Sequence, residues 1–186
     1  YKLSEPPLIV YCGRVEENKG LKAFVDAVRD LDVMVLIIGD GRYRTSLEKY
    51  VGYLNLSEKI RFLGFQNPPY RYMQRGDVFI LPSEVEGVPH AVIEAMAIGL
   101  PVVVSDIDLP FPDETCMKIR PGNTDEIKGA VMKLLSDESL RRSLGTCARE
   151  YVRKNYSWEL VIERYMDVIR EVIGVRNHSS EDSSSK

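Results

Sequence analysis

The sequence predicts an α/β fold in which a parallel sheet lies between layers of helices and the chain then ends in helices alone. Short apolar runs alternate with amphipathic segments of helical period, which is typical of repeated strand–helix–strand units. The apolar runs are continuous rather than alternating with polar residues, and this pattern indicates strands that are buried on both faces. A length of 186 residues with 44% hydrophobic content is enough for one compact domain with a full core.

Six strands are expected from the apolar runs, and helices connect most of them. The strands are expected at residues 8–12, 33–38, 60–63, 78–81, 101–104 and, as a weaker edge strand, 116–119. The connecting helices are expected at residues 21–28, 43–54, 70–74 and 89–98, where apolar residues recur at helical spacing. Because a helix between two strands returns the chain to the same end of the sheet, these strands should run parallel.

After the sixth strand only helical patterns remain. Thr124 is predicted as the N-cap of the first of three helices, since two acidic residues follow it where the helix dipole favours negative charge. The second helix is expected around residues 140–151, and the third begins after Ser157 with an apolar face made of Val161, Tyr165, Val168, Ile169 and Val172. Residues 176–186 are too polar to pack, so a disordered tail is expected after a domain that spans residues 1–175.

The charge and the cysteine content argue against several classes of protein. A net charge of −3 gives no overall basic field, so nucleic acid and anionic membrane surfaces are not expected partners. Three widely spaced cysteines and two histidines argue against a disulfide framework and a structural zinc site, and they fit a reducing cytosol. No apolar run reaches the length of a membrane span, and the first residues show neither an initiator methionine nor a signal-peptide pattern. The chain is therefore expected to be a cytoplasmic piece of a longer protein.

The loop that follows the first strand carries two basic residues, Arg14 and Lys19. In an open parallel sheet, ligands bind beyond the carboxyl ends of the strands, and the start of the next helix already favours anions. A diphosphate is the expected ligand of this loop. The alternative is that Arg14 and Lys19 pair with Glu16 and Glu17 at the surface.

The loop that follows the second strand contains Gly39-Asp40-Gly41, a fragment of the glycine-rich dinucleotide fingerprint without its third glycine. A turn that needs small residues explains this fragment as well as a close approach of the backbone to a ligand.

Two carboxylates, Glu86 and Glu94, are separated by seven residues, and the second lies in an apolar segment. A carboxylate is expensive to bury without a polar partner, so a partner is expected, and a ribose diol offers two hydroxyl donors. The alternative for Glu94 is an acid near a helix N-terminus, which stabilises the dipole by about 0.3–1 kcal/mol. His90, between the two, is either a proton carrier or a cap of the helix start.

These residues belong to an ordered set that runs from about residue 8 to residue 174. The set resembles the C-terminal, donor-binding half of the retaining glycosyltransferases of the GT-B fold, group 1 (family 4), a Rossmann-like domain. The motifs that carry the resemblance are Gly13-Arg14 with Lys19-Gly20, Ile38-Gly39-Asp40-Gly41, Phe62-Leu63-Gly64, Leu81-Pro82-Ser83, Glu86-Gly87, Glu94-Ala95-Met96-Ala97 and Tyr156-Ser157-Trp158.

The resemblance implies a site for a nucleotide-diphospho-sugar donor. Arg14 and Lys19, in the loop that starts with Gly13, would bind the diphosphate, and Glu94 would bind the ribose hydroxyls. The sugar hydroxyls would meet Glu86 and the backbone of Gly87 and Val88, and the base would lie near Gly64 and Phe65. Arg14, Lys19 and Glu86 would be the catalytic residues, with no metal and no cofactor beyond the donor substrate.

The same resemblance implies a missing N-terminal half that holds the acceptor, so the isolated chain is expected to be inactive. The parent enzyme would transfer a sugar, with mannose as a candidate, to a glycan or lipid-linked acceptor, with at most peripheral contact at the inner face of the membrane.

Two positions depart from the family pattern. Val88 stands where the family often has an aromatic residue, and residues 108–112 replace a glycine-rich turn. Asp106-Ile107-Asp108 spells the metal-binding DxD of another glycosyltransferase fold, but it follows the wrong strand for that role. Two other functions remain open, a sugar-nucleotide epimerase and a non-catalytic nucleotide-sugar-binding or interaction module.

Overall fold

The computed structural model describes residues 3–173, and in it six strands form one parallel sheet in the order β3-β2-β1-β4-β5-β6. The strands are β1 Leu8–Cys12, β2 Met34–Ile38, β3 Ile60–Gly64, β4 Val78–Leu81, β5 Val102–Ser105 and β6 Met117–Ile119. Every residue of β4 and β5 is buried. The parallel sheet flanked by helices is therefore confirmed, and each predicted strand lies within one residue of its observed limits.

Seven helices accompany the sheet within residues 3–173. They are α1 Leu21–Val28, α2 Arg44–Tyr53, α3 Tyr70–Met73, α4 His90–Ala97, α5 Thr124–Ser136, α6 Glu138–Asn155 and α7 Trp158–Val172. Helix α1 packs against α2 and α5, while α4 packs against α3 and α6. A short 3-10 turn, Glu17–Lys19, precedes α1.

The strand order reverses at the centre of the sheet. Strand β1 pairs with β2 on one side and with β4 on the other, so the chain leaves β1 and β4 in opposite directions across the sheet. In open α/β sheets the crevice beyond the carboxyl ends of such a strand pair is where ligands bind. We call this crevice between the loops after β1 and β4 the switch point.

Two predictions about the C-terminal helices need correction. Thr124 is the first residue of α5 and not its N-cap, because the side chain of Asn123 accepts the hydrogen bond from the Glu126 N–H. Helix α7 begins after Ser157 as predicted, but none of its residues is buried against the described part of the chain. Its apolar face is exposed, with Trp158 78% and Val172 80% accessible. The predicted tail, residues 176–186, lies outside the described residues.

Arg141 of α6 joins two C-terminal helices. It is 5% exposed, and its Nη1 donates to the carbonyls of Leu134 and Leu135 in the last turn of α5, at 2.6 and 3.1 Å. A cation is favourable at a helix C-terminus, where backbone carbonyls lack partners in the helix.

Replacement of Arg141 by methionine is expected to lower the free energy of unfolding by about 2 kcal/mol, since the charged donor to two carbonyls is lost. Denaturant unfolding measures the change. Arg153→Met, an exposed arginine on the same helix, is the control, and its effect should stay within about 0.5 kcal/mol. Equal effects of both variants would contradict the helix-joining role of Arg141.

Candidate functional site

The loops after β1 and β4 are in direct contact at the switch point. The Glu84 N–H donates to the Asn18 carbonyl at 2.9 Å. Gly20 lies close to the loop after β4, because a Cβ atom added to it would stand 2.0 Å from the Pro82 carbonyl oxygen. A side chain at this position would force the two loops apart. The contact therefore brings residues that are far apart in the sequence to one place.

Lys19 and Glu86 form an ion pair across this contact. The Lys19 Nζ lies 2.8 Å from Glu86 Oε1 and 3.3 Å from the Val85 carbonyl oxygen. The Ser83 hydroxyl donates to the same Glu86 Oε1 at 2.7 Å, and Ser83 is fully buried. The side chains of Lys19 and Glu86 are only 8% and 15% exposed. The ion pair is thus a largely buried part of the site and not a contact of two exposed side chains.

This pairing answers the alternative left open for the loop after β1. Lys19 is buried against Glu86 and does not pair with Glu16 or Glu17 at the surface. Arg14 is exposed and forms no ion pair with any residue in the range 3–173. The Arg14 guanidinium is therefore available to an anion.

The two oxygens of Glu86 differ. Oε1 accepts from both Lys19 and Ser83, whereas Oε2 accepts no hydrogen bond from a residue between 3 and 173. The internal bonds hold the carboxylate at one oxygen and leave the other for a ligand. A carboxylate oxygen fixed in this way can accept hydrogen bonds from sugar hydroxyls.

A cavity of about 340 Å³ opens beside the Arg14 backbone, at the ends of β1, β2 and β3. Four of the predicted site residues line it or adjoin it: Gly13, Arg14 and Phe65 line it, and Gly64 precedes Phe65 at the end of β3. Phe65 is 77% exposed, which leaves its ring available for stacking. The other lining residues are Gly39 and Asp40, for which the sequence left a close approach to a ligand open, and Cys12, Ile38, Gln66, Asn67 and Pro69.

The Gly39-Asp40-Gly41 turn serves the packing of neighbouring loops. A Cβ atom on Gly39 would stand 1.9 Å from the Gly13 carbonyl oxygen, and one on Gly41 would stand 2.3 Å from the Val15 carbonyl oxygen. Small residues are required here because the loop after β2 lies against the loop after β1. The same contact places Asp40 at the cavity, where hydrogen bonds from the Gly41 N–H and Arg44 lower the pKa of its carboxyl.

Glu94 is not buried, contrary to the expectation that its apolar neighbours would enclose it. Helix α4 turns Val92, Ala95 and Met96 into the core, so Glu94 lies on its exposed side. Burial and, second, the Glu94 charge raise the pKa of the Cys12 thiol to about 12. The Glu94 carboxylate is exposed and therefore open to a ligand.

The remaining predicted positions lie on the same edge of the sheet. Gly87 and Val88 are exposed beside Glu86. His90 is the exposed first residue of α4 and does not cap it, since the N-cap is Pro89 and no side chain bonds to the first turn. Asp106 begins the loop after β5, where its N–H donates to the Ile119 carbonyl.

In the range 3–173 no three histidine, cysteine, aspartate or glutamate side chains are grouped to hold a metal ion.

Two residues of the site were missed as functional by the sequence. Ser83 was noted only as part of a motif, and Tyr11 only as part of a strand. Their position in the sequence could have indicated a role, since each lies within two residues of the carboxyl end of a central strand. A buried hydroxyl at a strand end needs a hydrogen-bond partner, and that partner belongs to a ligand loop.

None of the helices between residues 3 and 173 combines the length and the apolar character needed to cross a membrane.

Comparison with known proteins finds matches along most of the chain. Residues 2–151 match the family model of the glycosyl transferases group 1. An alpha-D-kanosaminyltransferase of Streptomyces kanamyceticus is 27% identical over 183 residues, which cover 92% of this chain and 47% of that protein. Sucrose-phosphate synthase from Thermosynechococcus elongatus aligns with a TM-score of 0.85 at 25% identity, over 92% of this chain and 47% of that one.

HepE of Anabaena in complex with UDP has the same fold, with a TM-score of 0.81 at 19% identity over 88% of this chain and 48% of HepE. The chain thus spans about half the length of these three proteins.

Proposed function

Because the chain belongs to the group 1 glycosyl transferases and has the fold of their C-terminal GT-B domain, we propose that it binds the nucleoside-diphospho-sugar donor of a retaining glycosyltransferase. One observation carries the proposal: the exposed Arg14, the Lys19–Glu86 pair at the switch point and the cavity beside Phe65 at the ends of β1, β2 and β3 all lie at the carboxyl edge of the sheet. Arg14 can bind an anion, Glu86 can accept hydrogen bonds from hydroxyls, and the cavity beside Phe65 can hold a flat ring.

The cavity is the proposed place of the nucleobase, with the Phe65 ring as a stacking surface. Its volume of about 340 Å³ lies at the lower end of the range for small-molecule sites, which suits a base and part of a ribose. Glu94, exposed on α4, would accept the ribose hydroxyls. That HepE binds UDP with the same fold supports this reading.

The cations of the loop after β1 act on the diphosphate in the proposed reaction. When the bond between sugar and diphosphate breaks, negative charge grows on the departing diphosphate, and the Arg14 guanidinium stabilises it. The Lys19 ammonium, held by Glu86 Oε1, shares its charge between that carboxylate and the diphosphate. We propose that these two cations do the work for which other transferases use a metal.

Glu86 is proposed to orient the sugar. Its Oε1 is held by Lys19 and Ser83, so Oε2 presents a fixed acceptor to the sugar hydroxyls, beside the exposed backbone of Gly87 and Val88. The carboxylate also lies where it can stabilise positive charge that grows on the sugar ring. Attack on the same face as departure, directed by this positioning, would retain the configuration of the sugar.

The acceptor is proposed to lie on the half of the parent protein that this chain does not contain. The chain spans about half of its relatives, so the transfer itself, to a glycan or lipid-linked acceptor in the cytoplasm or at the inner face of the membrane, belongs to the parent. Mannose is one candidate sugar.

Calorimetric titration of the chain with UDP, GDP and ADP, and with UDP-glucose and GDP-mannose, tests the proposal. One nucleoside diphosphate is expected to bind. Arg14→Ala and Glu94→Ala should each weaken it at least about tenfold, since each removes a charged hydrogen-bonding group. Arg153→Ala and Glu150→Ala, exposed residues of α6, are matched controls and should leave the affinity unchanged.

Failure of every nucleotide to bind, or equal effects of the site and control variants, would contradict the donor site. Product analysis of the full-length parent with a labelled sugar nucleotide separates the rival functions. A transferase moves the label to an acceptor, an epimerase changes the sugar's configuration, and a binding module leaves the donor intact.

A further inference from the structure

The loop after β1 is anchored on both sides of Arg14. The Gly13 N–H donates to the Ile38 carbonyl and the Val15 N–H donates to the Asp40 carbonyl, both at 2.9 Å. Arg14 itself has no such bond to the loop after β2. Its carbonyl accepts instead from the Tyr11 hydroxyl at 2.6 Å, and no other donor in the range 3–173 reaches that oxygen.

Tyr11 is a buried residue of β1 that lies beneath the loop after this strand. Its side chain is fully buried, on the strand that ends two residues before Arg14. The loop passes directly over the phenol, since a Cβ atom on Gly13 would stand 3.0 Å from the Tyr11 oxygen. Because Gly13 has no side chain, the Arg14 carbonyl can approach the Tyr11 hydroxyl to hydrogen-bond distance.

The Tyr11 phenol keeps its proton, and so remains a hydrogen-bond donor, well above neutral pH. Burial, and second the nearby Glu86 carboxylate, raise its pKa far above the ordinary value. A permanent donor at this place holds the peptide group that follows Arg14 in one orientation.

We infer that Tyr11 is a positioning residue that fixes the Arg14 guanidinium on the diphosphate of the nucleotide through its hydrogen bond to the Arg14 carbonyl. This inference rests on the proposed donor site. It assigns no chemical step to Tyr11, because the phenol is covered by the loop and does not reach a ligand.

The test is titration of the chain and its Tyr11→Phe variant with UDP, GDP and ADP, continued with the diphosphate that binds best and with its nucleoside. Tyr11→Phe should weaken the diphosphate about fivefold, the change that corresponds to one net hydrogen bond. The nucleoside, which lacks the phosphates that Arg14 would bind, should bind equally to both proteins. Tyr50→Phe is the matched control, since its hydroxyl donates to Asp26 between α1 and α2, and it should change neither affinity.

A double-mutant cycle separates positioning from general structural support. Tyr11→Phe should have no further effect in an Arg14→Ala background, because the group that Tyr11 positions is then gone. A full fivefold loss in that background, or an equal loss of nucleoside binding, would overturn the inference. So would an unchanged diphosphate affinity in Tyr11→Phe while Arg14→Ala weakens it. If the unaltered chain binds no diphosphate, the proposed function fails and this inference fails with it.

Discussion

Replacement of Lys19 by methionine is expected to lower the free energy of unfolding by about 2–3 kcal/mol and to abolish detectable nucleoside diphosphate binding. The stability loss follows because Glu86, 15% exposed, keeps its charge without its cation. Removal of one partner of a buried ion pair costs about 3–5 kcal/mol, and the partial exposure of Glu86 and its bond from Ser83 bring this case to the lower limit of that range or just below it. Binding is lost because the remaining carboxylate repels the diphosphate.

The interaction free energy of Lys19 and Glu86 is measured by denaturant unfolding of four proteins. They are the original chain, Lys19→Met, Glu86→Gln and the double variant. The double variant should recover most of the stability that Lys19→Met loses, since no unpaired charge remains. Lys22→Met is the control. Its pair with Asp26 has a lysine side chain that is 56% exposed, and the loss should stay within about 1 kcal/mol. A double variant no more stable than Lys19→Met would show that the loss comes from packing and not from charge.

Replacement of Gly20 by alanine is expected to cost roughly 3 kcal/mol of stability and to remove nucleotide binding. Gly20 has a φ of +65°, which an L side chain rarely adopts, and its Cβ would stand 2.0 Å from the Pro82 carbonyl oxygen. The methyl group must push the loops after β1 and β4 apart. Lys19 is the neighbouring residue, so its distance to Glu86 must grow as well.

Substitutions at two other glycines separate backbone strain from the steric contact with Pro82. Gly122 has a φ of +71° but nothing within 4 Å of an added Cβ, so Gly122→Ala should cost only about 1 kcal/mol of backbone strain. Gly129 lies within α5 in open space, so Gly129→Ala should stabilise the chain by up to about 1 kcal/mol. Thermal and denaturant unfolding give the series. A Gly20→Ala effect no larger than that of Gly122→Ala would refute the contact between the loops as its cause.

The sequence predicts the sheet well because continuous apolar runs leave one solution, strands buried on both faces. It also places Arg14, Lys19 and Glu86 in loops that follow the carboxyl ends of strands, since that follows from the alternation of strands and helices along the chain. The predicted N-cap of α5 failed by one residue. Both Asn123 and Thr124 can accept the capping bond, and only the backbone geometry decides between them.

The partners inside the site were beyond prediction. The choice of Lys19 between Glu16, Glu17 and Glu86 depends on how closely the loops after β1 and β4 approach each other, and Gly20 controls that approach. The exposure of Glu94 depends on the rotation of α4, which apolar residues on nearly every side of that short helix do not determine. The first depends on the approach of two loops and the second on the orientation of a helix, and local sequence carries little information on either.

The contact at the switch point also sets the order in which the chain becomes able to bind. Strands β1 and β2 can pair early, because a single helix joins them, whereas Lys19 and Glu86 are 67 residues apart. Closing the longer segment costs more chain entropy and comes after the local units have formed. Nucleotide affinity should therefore emerge late during refolding, at the moment when β4 joins β1, and a fluorescent nucleotide would time that one event.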